Sequence, residues 1–404
     1  MTKRVIQSVL SISVVALMIS AAHAVESKEN SSENVSSEPK SKLETIVITA
    51  SGYEQDISKA PASMTVISRE ELDKREYSDI TDVLRNTPGV VVSGSGSAQS
   101  ISIRGMSSNY TLFLIDGKRQ YSKDVNPNGD DNGFEKNILP PMAAIERIEI
   151  IRGPASTLYG SEAMGGVINI ITKKVSDEWS GTAELGTVIQ DKGDAGDLKN
   201  ASVYIAGPLI PNKLGLQLGV SKQEREEDSF VGGFRGNERE SLNSRLTYML
   251  NDQHDLQFDA NFTTQDAKST VGKTVEAVAN ATDSNSRNYR SVYALTHNGR
   301  YSDQLDSATY LQYENSKNPD RANTTLDTKG IELETWTFNN QWNWLLNKHK
   351  LSFGAYYKDE VLNDKATNRN PNIPEFSELS RWSVAGFLED TWSVTDQFNL
   401  TGGL

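Results

Sequence analysis

The feature of this sequence that most constrains its fold is a regular alternation of apolar and polar side chains in the second half of the chain. The segment KLGLQLGVSKQ alternates apolar with small or polar residues, and its apolar positions are Leu214, Leu216, Leu218 and Val220. The segments HDLQFDANFTT and KLSFGAYYK repeat the pattern. Because side chains of a β-strand point alternately to its two faces, this period predicts strands with one apolar and one polar face. A water-soluble sandwich of two sheets would give the same alternation.

The connections between these strands separate the two architectures. Short turns at PLIPN, NDQ, SDQ, LNKH and TDQ alternate with longer polar segments along the chain. Tight turns at one edge and long loops at the other are typical of an outer-membrane β-barrel. We therefore expect residues 179–404 to be the N-terminal half of a transmembrane antiparallel β-barrel. Aromatic residues near strand ends fit its membrane interfaces: Tyr301, Trp336, Trp342, Trp344, Trp382 and Trp392.

The end of the chain falls inside a predicted strand. The last residues, FNLTGGL, follow the TDQ turn and begin the eleventh strand. An open sheet edge in lipid leaves backbone groups without partners, which makes a partial barrel unstable. We expect a truncated sequence that holds about 10–11 of the roughly 22 strands of a complete barrel.

The beginning of the chain predicts export. Residues 1–24 combine Lys3 and Arg4, an apolar run and the small-residue site Ala22-His23-Ala24, which is the pattern of a cleaved signal peptide. The apolar run is shorter than the roughly 20 residues that span a membrane. Residues 25–43 are rich in Ser, Glu, Lys and Asn and predict a disordered linker.

Residues 52–175 have a different character and predict a compact α+β domain. The runs SMTVI, GVVVS, SISIRG, TLFLIDG and GVINIIT predict strands. The segments SREELDKR, YSDITDVLRN and MAAIERI between them predict short helices. Ser68 followed by Glu71 predicts a capping box at the first of these helices.

Composition excludes several functions. A net charge of −13 argues against nucleic-acid binding. The chain has no Cys, so an exported protein of this kind is stable without disulfides. We find no nucleophile–base pair or paired acids in a recognisable context and predict that the chain is not an enzyme. No metal site is predicted, because no histidines stand at the spacing of a metal motif: His23, His254, His297 and His349.

Two segments carry a resemblance to a known family. SISIRGMSSNYTLFLIDGKRQ (100–120) and LPPMAAIERIEIIRGPASTLYGSEAMGGVINIITKK (139–174) closely resemble the plug domain of TonB-dependent outer-membrane receptors. Within that family they are most similar to the catecholate siderophore branch, which includes the enterobactin and colicin I receptors. The resemblance implies an α+β plug at 52–175 that precedes the barrel. It also identifies ETIVITA as the TonB box, with the residues Glu44, Thr45, Ile46, Val47, Ile48, Thr49 and Ala50.

The resemblance implies a function and partners. A receptor of this branch binds a ferric catecholate siderophore at the outer membrane of a Gram-negative bacterium and imports it with energy from TonB and its inner-membrane complex. The iron arrives already chelated, so no protein cofactor is expected. Further partners are outer-membrane lipid and a colicin or phage. The same architecture could instead carry cobalamin, haem or a sugar, while a passive porin would need neither a plug nor a TonB box.

Three residues are implied to latch the plug to the barrel. Arg104 and Arg152 each stand in an Arg-Gly step, and in the family such arginines pair with glutamates of the barrel. Charges inside a protein need partners. We predict Glu389, on the more polar face of its strand, as one partner.

The ligand is expected to meet polar loops of the plug at the outer side. Ferric catecholates are anionic and aromatic, so cationic and tyrosine side chains are suitable contacts. The segment that follows LIDG supplies both kinds of side chain. Its predicted ligand-binding residues are Lys118, Arg119, Tyr121 and Lys123.

Overall fold

The computed structural model describes most of the chain from residue 62 onward and two short segments before it. The described residues are 46–47, 55–57, 62–75, 77, 80–95, 98–121, 140–175, 177–322, 329–364, 378–395 and 397–404. The predicted signal peptide, the predicted linker and Lys123 lie outside them, as do five of the seven residues of the predicted TonB box.

The described residues up to 175, the N-terminal region, hold nine strands and three short α-helices. The strands are β1 (Ile46–Val47), β2 (Gln55–Asp56), β3 (Met64–Ser68), β4 (Val90–Ser95), β5 (Ala98–Ile103), β6 (Thr111–Ile115), β7 (Lys118–Arg119), β8 (Ile145–Arg152) and β9 (Gly166–Thr172). The helices are α1 (Arg69–Asp73), α2 (Ile80–Arg85) and α3 (Ser156–Tyr159), with 3-10 turns at Ser108–Tyr110, Met142–Ala144 and Ser161–Ala163. No helix among the described residues is long and apolar enough to cross a membrane.

A five-stranded sheet organises the N-terminal region. Its strand order is β3-β8-β9-β6-β7, in which only β6 and β9 are parallel. The strands β4 and β5 form a separate hairpin, and β1 pairs with β2. Apolar side chains of the sheet, the β4–β5 hairpin and α2 form one core, whose members include Leu84, Ile101, Phe113, Ile148 and Ile168.

Two sequence predictions in this region have opposite outcomes. The capping box is confirmed, because the Glu71 amide donates to the Ser68 hydroxyl at 3.3 Å and the Ser68 amide donates to the Glu71 carboxylate at 3.1 Å. The helix predicted at MAAIERI is wrong. Only Met142–Ala144 forms a 3-10 turn, and Ile145 begins strand β8. The buried isoleucines of β8 pair with β3 on one side and β9 on the other, and this pairing overrides the local helical pattern.

The second half of the chain forms one sheet of eleven strands, here called the large sheet. Its strands are β10 (Ser180–Val188), β11 (Leu198–Ile210), β12 (Leu214–Arg225), β13 (Gly236–Asn251), β14 (His254–Ser269), β15 (Ser284–Ser302), β16 (Leu305–Ala322), β17 (Lys329–Leu346), β18 (His349–Asp364), β19 (Glu378–Thr395) and β20 (Phe398–Gly403). Each strand pairs antiparallel with the next one along the chain. Two or three residues separate the strands at one edge, and six to fourteen at the other. The predicted alternation of short and long connections is confirmed.

The two faces of the large sheet differ in the sense opposite to that of a soluble protein. On the face toward the N-terminal region, polar side chains such as Asp259, Arg290 and Glu314 are buried. On the opposite face, large apolar side chains are exposed, and Leu295 and Trp336 keep 51% and 47% of their surface. An exposed apolar face of this extent marks contact with another apolar phase or partner. It excludes the water-soluble sandwich of two sheets, which the alternation in the sequence would also have fitted.

Candidate functional site

The N-terminal region meets the large sheet through the residues Asp116–Tyr121, here called the contact segment. It begins with a two-residue turn, since Ile115 pairs with Lys118 across Asp116 and Gly117. Both turn residues have positive φ, 49° at Asp116 and 76° at Gly117. A turn with two positive φ angles matches the twist of the two strands that it joins, and Asp-Gly is a residue pair that favours such a turn. The turn sends the rest of the segment back against the large sheet.

The first half of the contact segment lies in a cluster of two cations and two carboxylates. Arg245 of β13 contacts Asp116 through Nη2 and Asp259 of β14 through Nε, each at 2.6 Å. Lys118 Nζ lies 3.1 Å from the other Asp259 oxygen. Arg245 Nη1 also donates to the Thr172 hydroxyl at 2.9 Å. These four charged side chains are at most 17% exposed, so the charges balance inside a buried site.

The balance of charge fixes the ionisation of Asp116. Burial alone would raise the pKa of its carboxyl, but Arg245 and Lys118 lower this pKa by more. The Thr172 amide, which donates to Asp116 at 2.8 Å, also lowers the pKa. The net result is a pKa of about 2, so Asp116 is ionised at neutral pH.

The second half of the segment lies in a cluster of aromatic and charged groups. The Arg119 guanidinium stands 4.5 Å from the centre of the Tyr356 ring, and Lys358 Nζ stands 4.6 Å from that of Tyr121. The two tyrosine hydroxyls are hydrogen-bonded at 2.5 Å. Glu162 of the N-terminal region contacts Lys358 at 3.2 Å and Arg119 at 3.6 Å. Buried cation–π contacts of this kind contribute about 2 kcal/mol each.

The backbone at the end of the contact segment is bound as well. The Tyr121 amide donates to Glu314 of β16 at 3.2 Å. Glu314 in turn holds Arg290 of β15 at 2.9 Å, and Arg290 donates to the side chain of Gln120. Five of the six residues of the contact segment therefore contact the large sheet, on strands β13 to β16 and on β18.

The predicted ligand-binding residues have buried side chains. The sequence predicts them on an apical loop of the plug that faces the outside, and the exposed fractions of Lys118, Arg119 and Tyr121 are 5%, 8% and 1%. The sequence shows cations and a tyrosine in a row, whereas their carboxylate and aromatic partners lie far along the chain. Tyr121 and Tyr356, for example, are 235 residues apart. A role in ligand binding stays a prediction for these three residues, and Lys123 lies outside the described residues.

The predicted latch also has other contacts than expected. Arg152 donates to the carbonyl oxygens of Pro88 at 3.1 Å and Met64 at 3.2 Å, both within the N-terminal region. Arg104 has a positive φ of 52° and packs over Gly153. Among the described residues, neither arginine forms an ion pair with Glu389. The charged contacts described above that join the two parts of the chain belong to the contact segment and to Glu162.

The predicted TonB box is described at two positions. Ile46 and Val47 form β1, which pairs antiparallel with β2 in the register Ile46 to Asp56 and Val47 to Gln55. These two residues are therefore extended, as their β-branched side chains predict, and they already have a partner strand within the chain.

Comparisons with known proteins agree with this architecture. Residues 56–167 match the TonB-dependent receptor plug domain. The iron-regulated outer membrane virulence protein of Vibrio cholerae serotype O1 is 45% identical over 363 residues, which cover 89% of this chain and 54% of that protein. The ferric enterobactin receptor PirA of Pseudomonas aeruginosa is 28% identical over an alignment that covers 87% of this chain and 54% of that receptor. The chain spans about half the length of the curated relatives it matches.

A solved structure shows the same fold. The crystal structure of the siderophore receptor PirA from Acinetobacter baumannii aligns with a TM-score of 0.74 at 27% identity, covering 84% of this chain and 55% of that one. A plug domain held against the polar face of an antiparallel sheet is the architecture that this chain shares with that receptor. The chain is similar to TonB-dependent receptors in its plug domain, in its sequence over about half of their length, and in its fold.

Proposed function

We propose that this protein binds a ferric catecholate siderophore at the outer membrane and imports it with energy transmitted by TonB. The observation that carries the proposal is the plug domain held to the large sheet through buried polar contacts. The names of the relatives support the cargo, since one is a ferric enterobactin receptor and another is an iron-regulated outer membrane protein. The relatives' location also supports export through a signal peptide cleaved after Ala24.

The chemistry of the contact segment suits a plug that must stay in place and still move. Its contacts with the large sheet are ion pairs, hydrogen bonds and cation–π contacts. A buried ion pair gives little net stability, because desolvation offsets most of its attraction. Exchanging such contacts for water costs less than exposing an apolar core of equal area. Parts of the plug can therefore move relative to the large sheet without unfolding that sheet.

The strand β1 suits capture by a TonB strand. Among the described residues it pairs with β2 at two positions, and an isolated two-stranded hairpin is marginal in water. A strand of TonB that replaced β2 would offer the same backbone hydrogen bonds over a longer stretch. This step needs an available backbone more than particular side chains.

Uptake by living cells tests the proposal. The chain is expressed in a Gram-negative host that lacks its own catecholate receptors, and uptake of radiolabelled ferric enterobactin is followed with and without TonB. We expect uptake only where both the chain and TonB are present. Uptake that persists without TonB would indicate a passive pore.

Competition identifies the cargo. Four unlabelled molecules are compared as competitors of radiolabelled ferric enterobactin for binding to the expressed chain: ferric enterobactin, cobalamin, haem and an oligosaccharide. We expect ferric enterobactin alone to compete. Binding of cobalamin, haem or sugar in its absence would contradict the catecholate assignment and leave the receptor class intact.

A further inference from the structure

A pair of histidines on the large sheet belongs to no contact described so far. His254 is the first residue of β14, and His297 lies on β15 near the same short-turn edge. In the strand register His254 stands opposite Gly299, and His297 stands opposite Leu256. Asp259 of β14 and Arg290 of β15 face the plug, and the alternation along each strand places both histidines on the opposite face.

The two imidazoles face each other through nitrogen atoms. His254 Nδ1 and His297 Nε2 are 3.2 Å apart, with the ring centres at 5.3 Å and the ring planes 13° from parallel. Two metal–nitrogen bonds of about 2.0–2.1 Å that meet near the tetrahedral angle place their nitrogens about 3.3 Å apart. The observed separation therefore matches that of two ligands of one ion.

Gly299 makes this approach possible. It is buried between the two rings, and a Cβ at this position would lie 2.8 Å from His254 Nδ1 and 3.0 Å from His297 Cε1. Any larger residue would push the rings apart. Tyr301 supports the arrangement from the side, with its ring at 5.0 Å and nearly perpendicular to that of His254.

We propose that His254 and His297 form a site for a divalent transition metal such as Zn²⁺, Cu²⁺ or Ni²⁺. Neutral imidazole suits these ions. Among the described residues no group of three or more His, Asp or Glu side chains could hold a metal, at this pair or elsewhere, so the two imidazoles would be the protein ligands and water would complete the shell. The ion would take the place of the hydrogen bond between the two rings and would join β14 to β15 at the short-turn edge. The histidines are 43 residues apart, a separation that no metal motif in the sequence predicts.

Metal titration of the full chain in detergent tests the site. Calorimetry with Zn²⁺ should show binding to the unaltered chain and loss of that binding in His254→Gln and His297→Gln. The matched control is His349→Gln, which removes an imidazole at the same edge that pairs with Asp390 at 2.8 Å. This control should bind Zn²⁺ as the unaltered chain does. Unchanged binding in both His254→Gln and His297→Gln would overturn the proposal.

Two further measurements separate a metal site from a simple hydrogen bond. The electron paramagnetic resonance spectrum of bound Cu²⁺ should show two coupled nitrogens in the unaltered chain, and either variant should lose this two-nitrogen signal. Zn²⁺ should raise the thermal midpoint of the unaltered chain but not that of Gly299→Ala, in which circular dichroism checks the fold. A spectrum without imidazole nitrogen coupling, or no binding at all, would show that the pair shares only a proton.

Discussion

At the scale of single residues, Arg245 connects the plug to the large sheet more directly than either arginine predicted for that role. It contacts carboxylates from both parts of the protein and completes a cluster with no net charge. Such a cluster tolerates removal of a whole pair better than removal of one member, because a lone buried charge has no compensating partner.

Replacing Arg245 should therefore weaken the protein strongly. We expect Arg245→Met to lower the free energy of unfolding by about 3–5 kcal/mol, since Asp116 and Asp259 then share only Lys118. Chemical denaturation in detergent measures the change. Adding Asp116→Asn should restore part of the loss by removing one carboxylate charge.

A surface pair provides the control. Arg287→Gln alters the partly exposed contact with Asp266 at 3.6 Å and should cost less than about 1 kcal/mol. Equal losses in Arg245→Met and Arg287→Gln would contradict a special role for the buried cluster.

The low pKa of Asp116 makes a second prediction. Its pKa falls from 3.8 to about 2 on folding, so the ionised form stabilises the folded chain at every pH above about 4. That contribution should disappear as the pH falls from about 4 to about 2. The difference in unfolding free energy between the unaltered chain and Asp116→Asn should be constant at neutral pH and shrink over this acidic interval. A difference that changes between pH 5 and pH 8 would point to another group.

At the scale of elements, a glycine of the motif AMGGVINIIT lets strand β9 pair closely with β8. Gly166 begins β9 where that strand passes closest to β8. A Cβ there would overlap the Ile151 carbonyl oxygen and lie 2.8 Å from the Ile103 side chain. The glycine therefore allows two core strands to pair, and its φ of 156° also disfavours any other residue there.

Substitution separates this packing role from turn geometry. Gly166→Ala should lower the free energy of unfolding by about 3 kcal/mol, because backbone atoms must move. Gly117→Ala should cost about 1–2 kcal/mol, since its Cβ meets open space and only its φ of 76° is unfavourable. Thermal unfolding followed by circular dichroism compares them. A larger loss at Gly117 would contradict this assignment.

The pairing of β1 leads to a prediction about energised uptake. Ile46→Pro or Val47→Pro removes a backbone donor that a partner strand needs, so TonB-dependent uptake should be lost while ligand binding stays unchanged. Val47→Ala keeps the backbone and should be tolerated. Loss of ligand binding in the proline variants would mean that the segment is part of the plug fold.

At the scale of the whole molecule, the large sheet is polar toward the plug and apolar on the opposite face. Much of this could be predicted from the sequence, because the period of two is local and the connection lengths are written along the chain. The contacts that hold the plug could not, since Asp116 and Arg245 meet only after many strands have paired. The MAAIERI segment shows the same limit, where sheet pairing outweighs helical pattern.

The exposed apolar face predicts how the chain inserts. Leu295→Arg places a charge in the middle of that face and should reduce assembly into the outer membrane, at a cost of about 2–4 kcal/mol. Leu295→Phe keeps the apolar character and should assemble normally. The amount of chain recovered in washed outer membranes measures both, and equal recovery would mean that this face does not contact lipid.

The strand order of the plug sheet has a mechanical consequence. The strand β3 is nearest to the N-terminus and forms one edge of the sheet, while β7, within the contact segment, forms the opposite edge. A load applied at the N-terminal side is carried first by β3, whose only neighbour in the sheet is β8. The opposite edge, β7, stays anchored to five strands of the large sheet through the contact segment. Tension would therefore peel the plug open from one side rather than expel it whole.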